Sequence, residues 1–129
     1  MKVLIADDEA AHAFLLELFL KKWGYEVFST DNGQEALREL EREESPCIAI
    51  LDWEMPGLSG LDVTKAIRSS DHRNIYIVML TAKSQAVDRA MALEAGVHSF
   101  MTKPYEPEEL RLKVLAGCKE LERIGSFSG

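Results

Sequence analysis

The chain is poor in residues that would mark several large functional classes. Only two cysteines, Cys47 and Cys118, occur among 129 residues. Both sit in apolar segments without paired histidine spacing, so no zinc frame is expected, both thiols read as core fillers, and a reduced cytoplasmic setting follows. Cations are in deficit: 15 Lys and Arg face 22 Asp and Glu, a formal charge of −7. A phosphate-backbone footprint needs clustered basic residues, so direct nucleic-acid binding is not expected. No apolar run approaches the ~20 residues of a membrane span. The opening MKVLIADDEA meets two aspartates after a short apolar run, so neither membrane insertion nor a signal peptide is expected. A nucleotide-binding module would want a glycine-rich turn after that run, where Asp7-Asp8-Glu9 stands. Internal repeats and low-complexity linkers are also missing, and only residues 124–129 read as a flexible tail or linker stub.

What is there is an ordinary globular composition, 47% hydrophobic and 29% charged, in a length that suits one domain of ~100–150 residues. Short apolar runs at Val3–Ala6, Tyr25–Ser29, Cys47–Leu51 and Ile75–Leu80 have strand length, with a weaker fifth at His98–Thr102. Most lack polar alternation, the pattern of parallel strands covered on both faces. Helical segments at Ala10–Lys22, Gly33–Glu43, Leu61–Ser69, Ser84–Ala95 and Glu108–Arg123 separate them. Strand and helix alternate with crossovers too long for hairpins, so the fold class is α/β, a doubly wound parallel open sheet. The boundaries agree: Asp31-Asn32-Gly33 is a turn, Ser45-Pro46 stops a helix, Pro107 suits a first helical turn and Gly96 a C-terminal cap.

In such a sheet ligands bind at the carboxyl ends of the strands. Those ends carry Asp7-Asp8-Glu9, Asp52, Thr81-Ala82 and Thr102-Lys103-Pro104. Taken singly, Asp7 or Asp8 reads as a helix cap or a solvated charge, and Asp52 as a turn residue. Three carboxylates converging on one rim repel each other unless a cation joins them or their pKa values rise. An oxygen-only set of that charge suits Mg²⁺. Facing Lys103 and the Thr81 hydroxyl, it suggests phosphoryl chemistry with Asp52 as the nucleophile.

The segments Ile5-Ala6-Asp7-Asp8-Glu9, Leu51 to Gly60, Leu80-Thr81-Ala82 and Lys103-Pro104, in this order, resemble the receiver domain of two-component response regulators from Lys2 to about Arg123. The resemblance implies five parallel strands in the flavodoxin-like order 2-1-3-4-5 and a receiver domain over residues 1–123. Asp52 is then the phosphoacceptor, served by a histidine kinase, a histidine phosphotransfer protein or a small phosphodonor. It further implies Mg²⁺ held by Asp7, Asp8, Asp52 and the backbone carbonyl of Glu54. Lys103 would contact the phosphoryl group, Thr81 would move to hydrogen-bond it, small Ala82 would leave the approach open, and Lys103-Pro104 would be cis. The chain would catalyse only its own phosphorylation and dephosphorylation. It would signal to an output domain on a longer chain or to a separate effector, with a phosphorylation-dependent homodimer as one form.

Phe100 occupies the position of the family's switch aromatic and also reads as a core aromatic; a full change in its burial is worth roughly 1.5–3 kcal/mol. Glu54 and Lys83 flank the site with opposite charges, and pairing across its mouth would slow loss of the phosphoryl group. The first helix is apolar over more than one stripe, from Phe14 to Leu20. Leu15, Leu18 and Phe19 are expected in the core, with the excess available for docking a phosphodonor. In the last helix Leu110, Val114, Leu121 and Ile124 stand among charged neighbours as a coiled-coil continuation would need, but core packing explains the first two equally well and the pattern spans too little to assign a coiled coil. A haloacid-dehalogenase-type phosphohydrolase is the chief rival, but it wants a second aspartate two residues after the nucleophile, where Glu54 stands. Scattered His12, His72 and His98 do not suggest a phosphodonor, and His12 reads as a solvated or docking residue.

Overall fold

The computed structural model describes residues 1–42, 48–70, 74–82 and 86–123. Strands β1 (Lys2–Ala6), β2 (Glu26–Thr30), β3 (Ile48–Asp52), β4 (Tyr76–Thr81) and β5 (Ser99–Thr102) alternate with helices α1 (Ala10–Lys22), α2 (Gly33–Leu40), α3 (Gly60–Arg68), α4 (Ala86–Ala95) and α5 (Pro107–Arg123). All neighbouring strands pair in parallel, in the order β2-β1-β3-β4-β5. Central β3 and β4 are buried at every position, whereas edge strand β2 is at most half-buried. Apolar continuity therefore marked the covered strands, as two-sided burial requires.

Alternation within each strand feeds two cores. Leu4, Ala6, Leu51 and Met79 pack on one face with Leu40, Val63 and Ile67 of α2 and α3. Val3, Ile5, Ile50 and Val78 pack on the other with Leu16, Leu20, Leu110 and Val114 of α1 and α5. Leu121 also lies in this second core, at 1% exposure. It serves the domain's own packing, as Leu110 and Val114 do; Ile124 lies outside the described residues.

Helix α1 is rotated from its expected phase. Ala13, Leu16 and Leu20 are buried, Phe19 packs partly against the core, and Leu15 and Leu18 are 45% and 50% exposed. The i, i+3, i+7 spacing of the buried set is one helical face. Six apolar side chains among Phe14–Leu20 left that face undetermined in the sequence.

Local chemistry sets the helix starts. Asn32 Oδ1 accepts the Glu35 amide at 2.9 Å, and Ser59 with Asp62 forms a reciprocal capping box at 3.1 Å in each direction. Gly96, at φ +111°, follows α4, where a left-handed residue favours glycine. Arg68 ties α3 to that turn, donating to the Gly96 carbonyl and, at 2.9 Å, to the Ile75 carbonyl. Strand boundaries fall within a residue of expectation, and α2 ends at Leu40. Ser45-Pro46, Cys47, His72, Lys83 and the tail at 124–129 lie outside the described residues.

Candidate functional site

Parallel pairing brings the carboxyl ends of β1, β3, β4 and β5 to one edge. Asp7 follows β1, its amide donating to the Thr30 carbonyl at 3.1 Å. Asp52 and Thr81 are the last residues of β3 and β4, and the Trp53 amide donates to Leu80 O at 3.0 Å. The Lys103 amide donates to Thr81 O at 2.8 Å, which seats the lysine one residue beyond β5. The Lys103-Pro104 bond is cis.

One carboxylate oxygen each from Asp7, Asp8 and Asp52 lies within 4.8 Å of the others. Asp7 and Asp52 are buried and Asp8 is exposed, so the cluster opens to solvent on the Asp8 side. Lys103 Nζ stands 2.9 Å from Asp52 Oδ2 and 3.6 Å from both Asp7 Oδ2 and Glu9 Oε1. The Glu54 amide donates to Asp52 Oδ1 at 3.3 Å, and the Glu9 amide to Asp7 Oδ1 at 2.9 Å.

The charges respond to this enclosure. Burial pushes the Asp52 carboxyl above 3.8, against the hydrogen bond and charge of Lys103, and the Asp7 charge adds to the rise. Burial pushes Asp7 the same way, yet the His12 hydrogen bond, the Glu9 amide and Lys103 outweigh it and hold Asp7 below 3.8. Burial alone would lower Lys103, but Asp52, Asp7 and Glu9 keep its ammonium above 10.5. Three carboxylates against one ammonium leave an excess of negative charge. A hard divalent cation would offset it, and the all-oxygen donor set, open on one side to water, fits Mg²⁺.

The other expected site residues fall around this cluster. Thr81 is buried, and Ala82 and Glu54 are exposed. Phe100 is half-buried, edge-on to Trp53 at 6.3 Å between ring centroids, with the Arg89 guanidinium 5.2 Å from its own ring. It thus touches the core without being enclosed by it. Lys83 lies outside the described residues, and the pairing expected of it with Glu54 stays a proposal.

Two residues were missed by sequence reasoning. His12, expected as solvated or docking, turns inward: its Nδ1 hydrogen-bonds Asp7 Oδ2 and its Nε2 lies 3.1 Å from Tyr105 Oη. Tyr105 follows Pro104 and packs against the core shared by α1 and α5. The available signal was positional, since the first turn of a helix that follows a strand-end aspartate passes over that aspartate. Among the described residues no helix is long and apolar enough to cross a membrane.

A family model described as response regulator receiver domain matches residues 3–115. The alkaline phosphatase synthesis transcriptional regulatory protein PhoP of Bacillus subtilis (strain 168) is 38% identical over 121 residues, covering 94% of this chain and 50% of that protein. Regulatory protein VanR of Enterococcus faecium is 41% identical over 128 residues, covering 99% and 53%. The chain spans about half the length of these curated relatives. Among solved structures, the receiver domain of a sensor histidine kinase from Pseudomonas aeruginosa PAO1, with a magnesium ion coordinated in its active site cleft, superposes with a TM-score of 0.78 at 30% identity, over 85% of this chain and 90% of that one. The sheet order, the carboxylates gathered at its carboxyl edge and these similarities agree, and the chain belongs to the response regulator receiver domain family of two-component systems.

Proposed function

We propose that residues 1–123 form one phosphoacceptor domain that takes a phosphoryl group on Asp52 from a phosphohistidine donor and signals through the resulting change. The observation that carries this reading is the Asp52 carboxylate, at the end of β3, 2.9 Å from Lys103 Nζ and within 4.8 Å of oxygens of Asp7 and Asp8. An Asp52 oxygen forms the bond to phosphorus as the bond to the donor nitrogen breaks, and the imidazole leaves. Lys103 balances charge on the phosphoryl oxygens, and the Thr81 hydroxyl donates to one of them. Asp7, Asp8, Asp52 and the Glu54 carbonyl would hold Mg²⁺, which when bound supplies further neutralisation of those oxygens.

The chain then catalyses only its own phosphorylation and dephosphorylation. Its partners are a histidine kinase or histidine phosphotransfer protein and an output domain or separate effector, met in the cytoplasm, with a homodimer favoured by phosphorylation. Phe100 changes its burial as Thr81 moves. Glu54 and Lys83 narrow the approach of water to the aspartyl phosphate. A phosphodonor docks on α1, where Phe14, Leu15 and Leu18 are exposed, beside an apolar groove of about 420 Å³ that includes Phe19, Pro104 and Lys103.

Incubation with acetyl phosphate and Mg²⁺ should add one phosphoryl group to the intact mass, and Asp52→Asn should abolish the gain. No gain in the unsubstituted chain, or an equal gain in Asp52→Asn, overturns the reading.

A further inference from the structure

We propose that His12 is a positioning residue for the cation site: it holds the Asp7 carboxylate in place through a hydrogen-bonded chain that ends on Tyr105. The inference rests on the proposed Mg²⁺ site and assigns a task within it to a side chain outside the ligand set.

His12 is the third residue of α1, with a side chain 18% exposed. Its Nδ1 meets Asp7 Oδ2 and its Nε2 lies 3.1 Å from Tyr105 Oη, the two rings edge-on at 5.6 Å and 77°. An ionised carboxylate only accepts hydrogen bonds, so Nδ1 carries the proton toward Asp7. Nε2 is paired with the Tyr105 hydroxyl, so both ring nitrogens have a partner and the ring angle is fixed from both sides. A histidine that merely filled space would not need a polar partner at each nitrogen. Both of these partners come from segments that border the site, the turn after β1 and the stretch after Lys103.

The consequence lies at Asp7, the least exposed of the three carboxylates at 1%. Its Oδ1 is held by the Glu9 amide at 2.9 Å and its Oδ2 by His12, so rotation of the carboxylate plane is blocked from both sides. Without His12, the side-chain group left near Oδ2 would be Lys103 at 3.6 Å. The carboxylate would then turn toward the ammonium, and a cation would have to draw it back. Partners that orient metal ligands are typically worth 10–100-fold in affinity. The Glu9 amide survives the loss of His12, which puts the expected effect at the lower end of that range.

The test is a titration of Mg²⁺ alone into the full chain carrying Trp23→Phe, so that Trp53, buried beside Asp52, reports binding; calorimetry repeats each measurement. Adding His12→Leu should weaken Mg²⁺ about tenfold, Tyr105→Phe about threefold, and His12→Asn, which keeps an N–H near the Nδ1 position, should return affinity to within about threefold of the parent. Circular dichroism and urea midpoints report folding, and if His12→Leu does not fold, Tyr105→Phe decides: a loss of about threefold supports the role and affinity equal to the parent's overturns it. Equal affinity in all folded variants overturns the positioning role while leaving the Mg²⁺ site intact. Loss in His12→Asn as large as in His12→Leu also overturns it, because the side chain would then matter for shape alone. No Mg²⁺ response in the folded parent removes the cation site and this proposal with it.

Discussion

Gly60 lies so close against the backbone carbonyl of Asp52 that a Cβ at this position would overlap that oxygen and come within 2.9 Å of Met79 Sδ. The Gly60 amide also donates to the Trp53 carbonyl at 2.9 Å, which closes the loop between β3 and α3. The first turn of α3 therefore sets where the main chain of Asp52 can be.

That contact predicts the effect of Gly60→Ala. Helix propensity alone would favour alanine by about 1 kcal/mol. The displaced atoms belong to the backbone of β3, so the overlap should win and lower stability by about 1–3 kcal/mol. Phosphorylation by acetyl phosphate should slow as well, since Asp52 shifts. A urea midpoint equal to or above that of the unsubstituted chain would refute this account.

The two leucines of α1 predict opposite phenotypes. Leu16→Ala should cost about 2–5 kcal/mol, because Leu16 is fully buried. Leu18→Ala, half exposed, should change stability by no more than about 0.5 kcal/mol. It should nevertheless slow phosphotransfer from a phosphohistidine protein while leaving the rate with acetyl phosphate unchanged. If both rates respond alike, α1 is not the docking surface.

His98 predicts a loss of stability in mild acid. Its Nδ1 accepts the Ile77 amide at 3.1 Å and lies 3.1 Å from Arg68 Nη2, while the ring stacks on Tyr76 at 4.5 Å. Burial lowers its pKa below 6.5, Arg68 lowers it further, and Glu120 opposes both. The unfolded chain therefore takes up this proton at a higher pH than the folded one. The stabilisation is complete well above 6.5 and is lost as pH falls through 6.5 toward the lower folded value. His98→Asn keeps an acceptor near Nδ1 and does not titrate. The fall in urea midpoint between ~pH 7.5 and ~pH 5.5 should be smaller in that variant; an equal fall would assign the effect to other groups. The ring is partly solvent-exposed, so the difference should be modest.

Much of the site was legible because its residues sit at strand ends, and strand ends are marked by a change from apolar to polar residues. Ile48–Asp52 is the plainest case: four covered apolar positions lead to one carboxylate. Asp7, Thr81 and Lys103 were found by the same break in pattern. The helices were less legible where apolar residues were too many. A pattern with almost every position apolar from Phe14 to Leu20 has no preferred stripe, so only docking against β1 and β2 selected Ala13, Leu16 and Leu20 for the core.

By itself the sequence determined the element order, the two-sided burial of the central strands and the set of polar residues delivered to one edge, because each follows from local periodicity and from where it stops. The tertiary structure decided what those residues do to each other. Lys103 meets Asp52 across 51 positions of chain and His12 meets Tyr105 across 93. Such pairings depend on the rotation of helices about their axes and on the register of non-adjacent strands. Neither leaves a periodic trace in the chain, since they are fixed only when the two cores close.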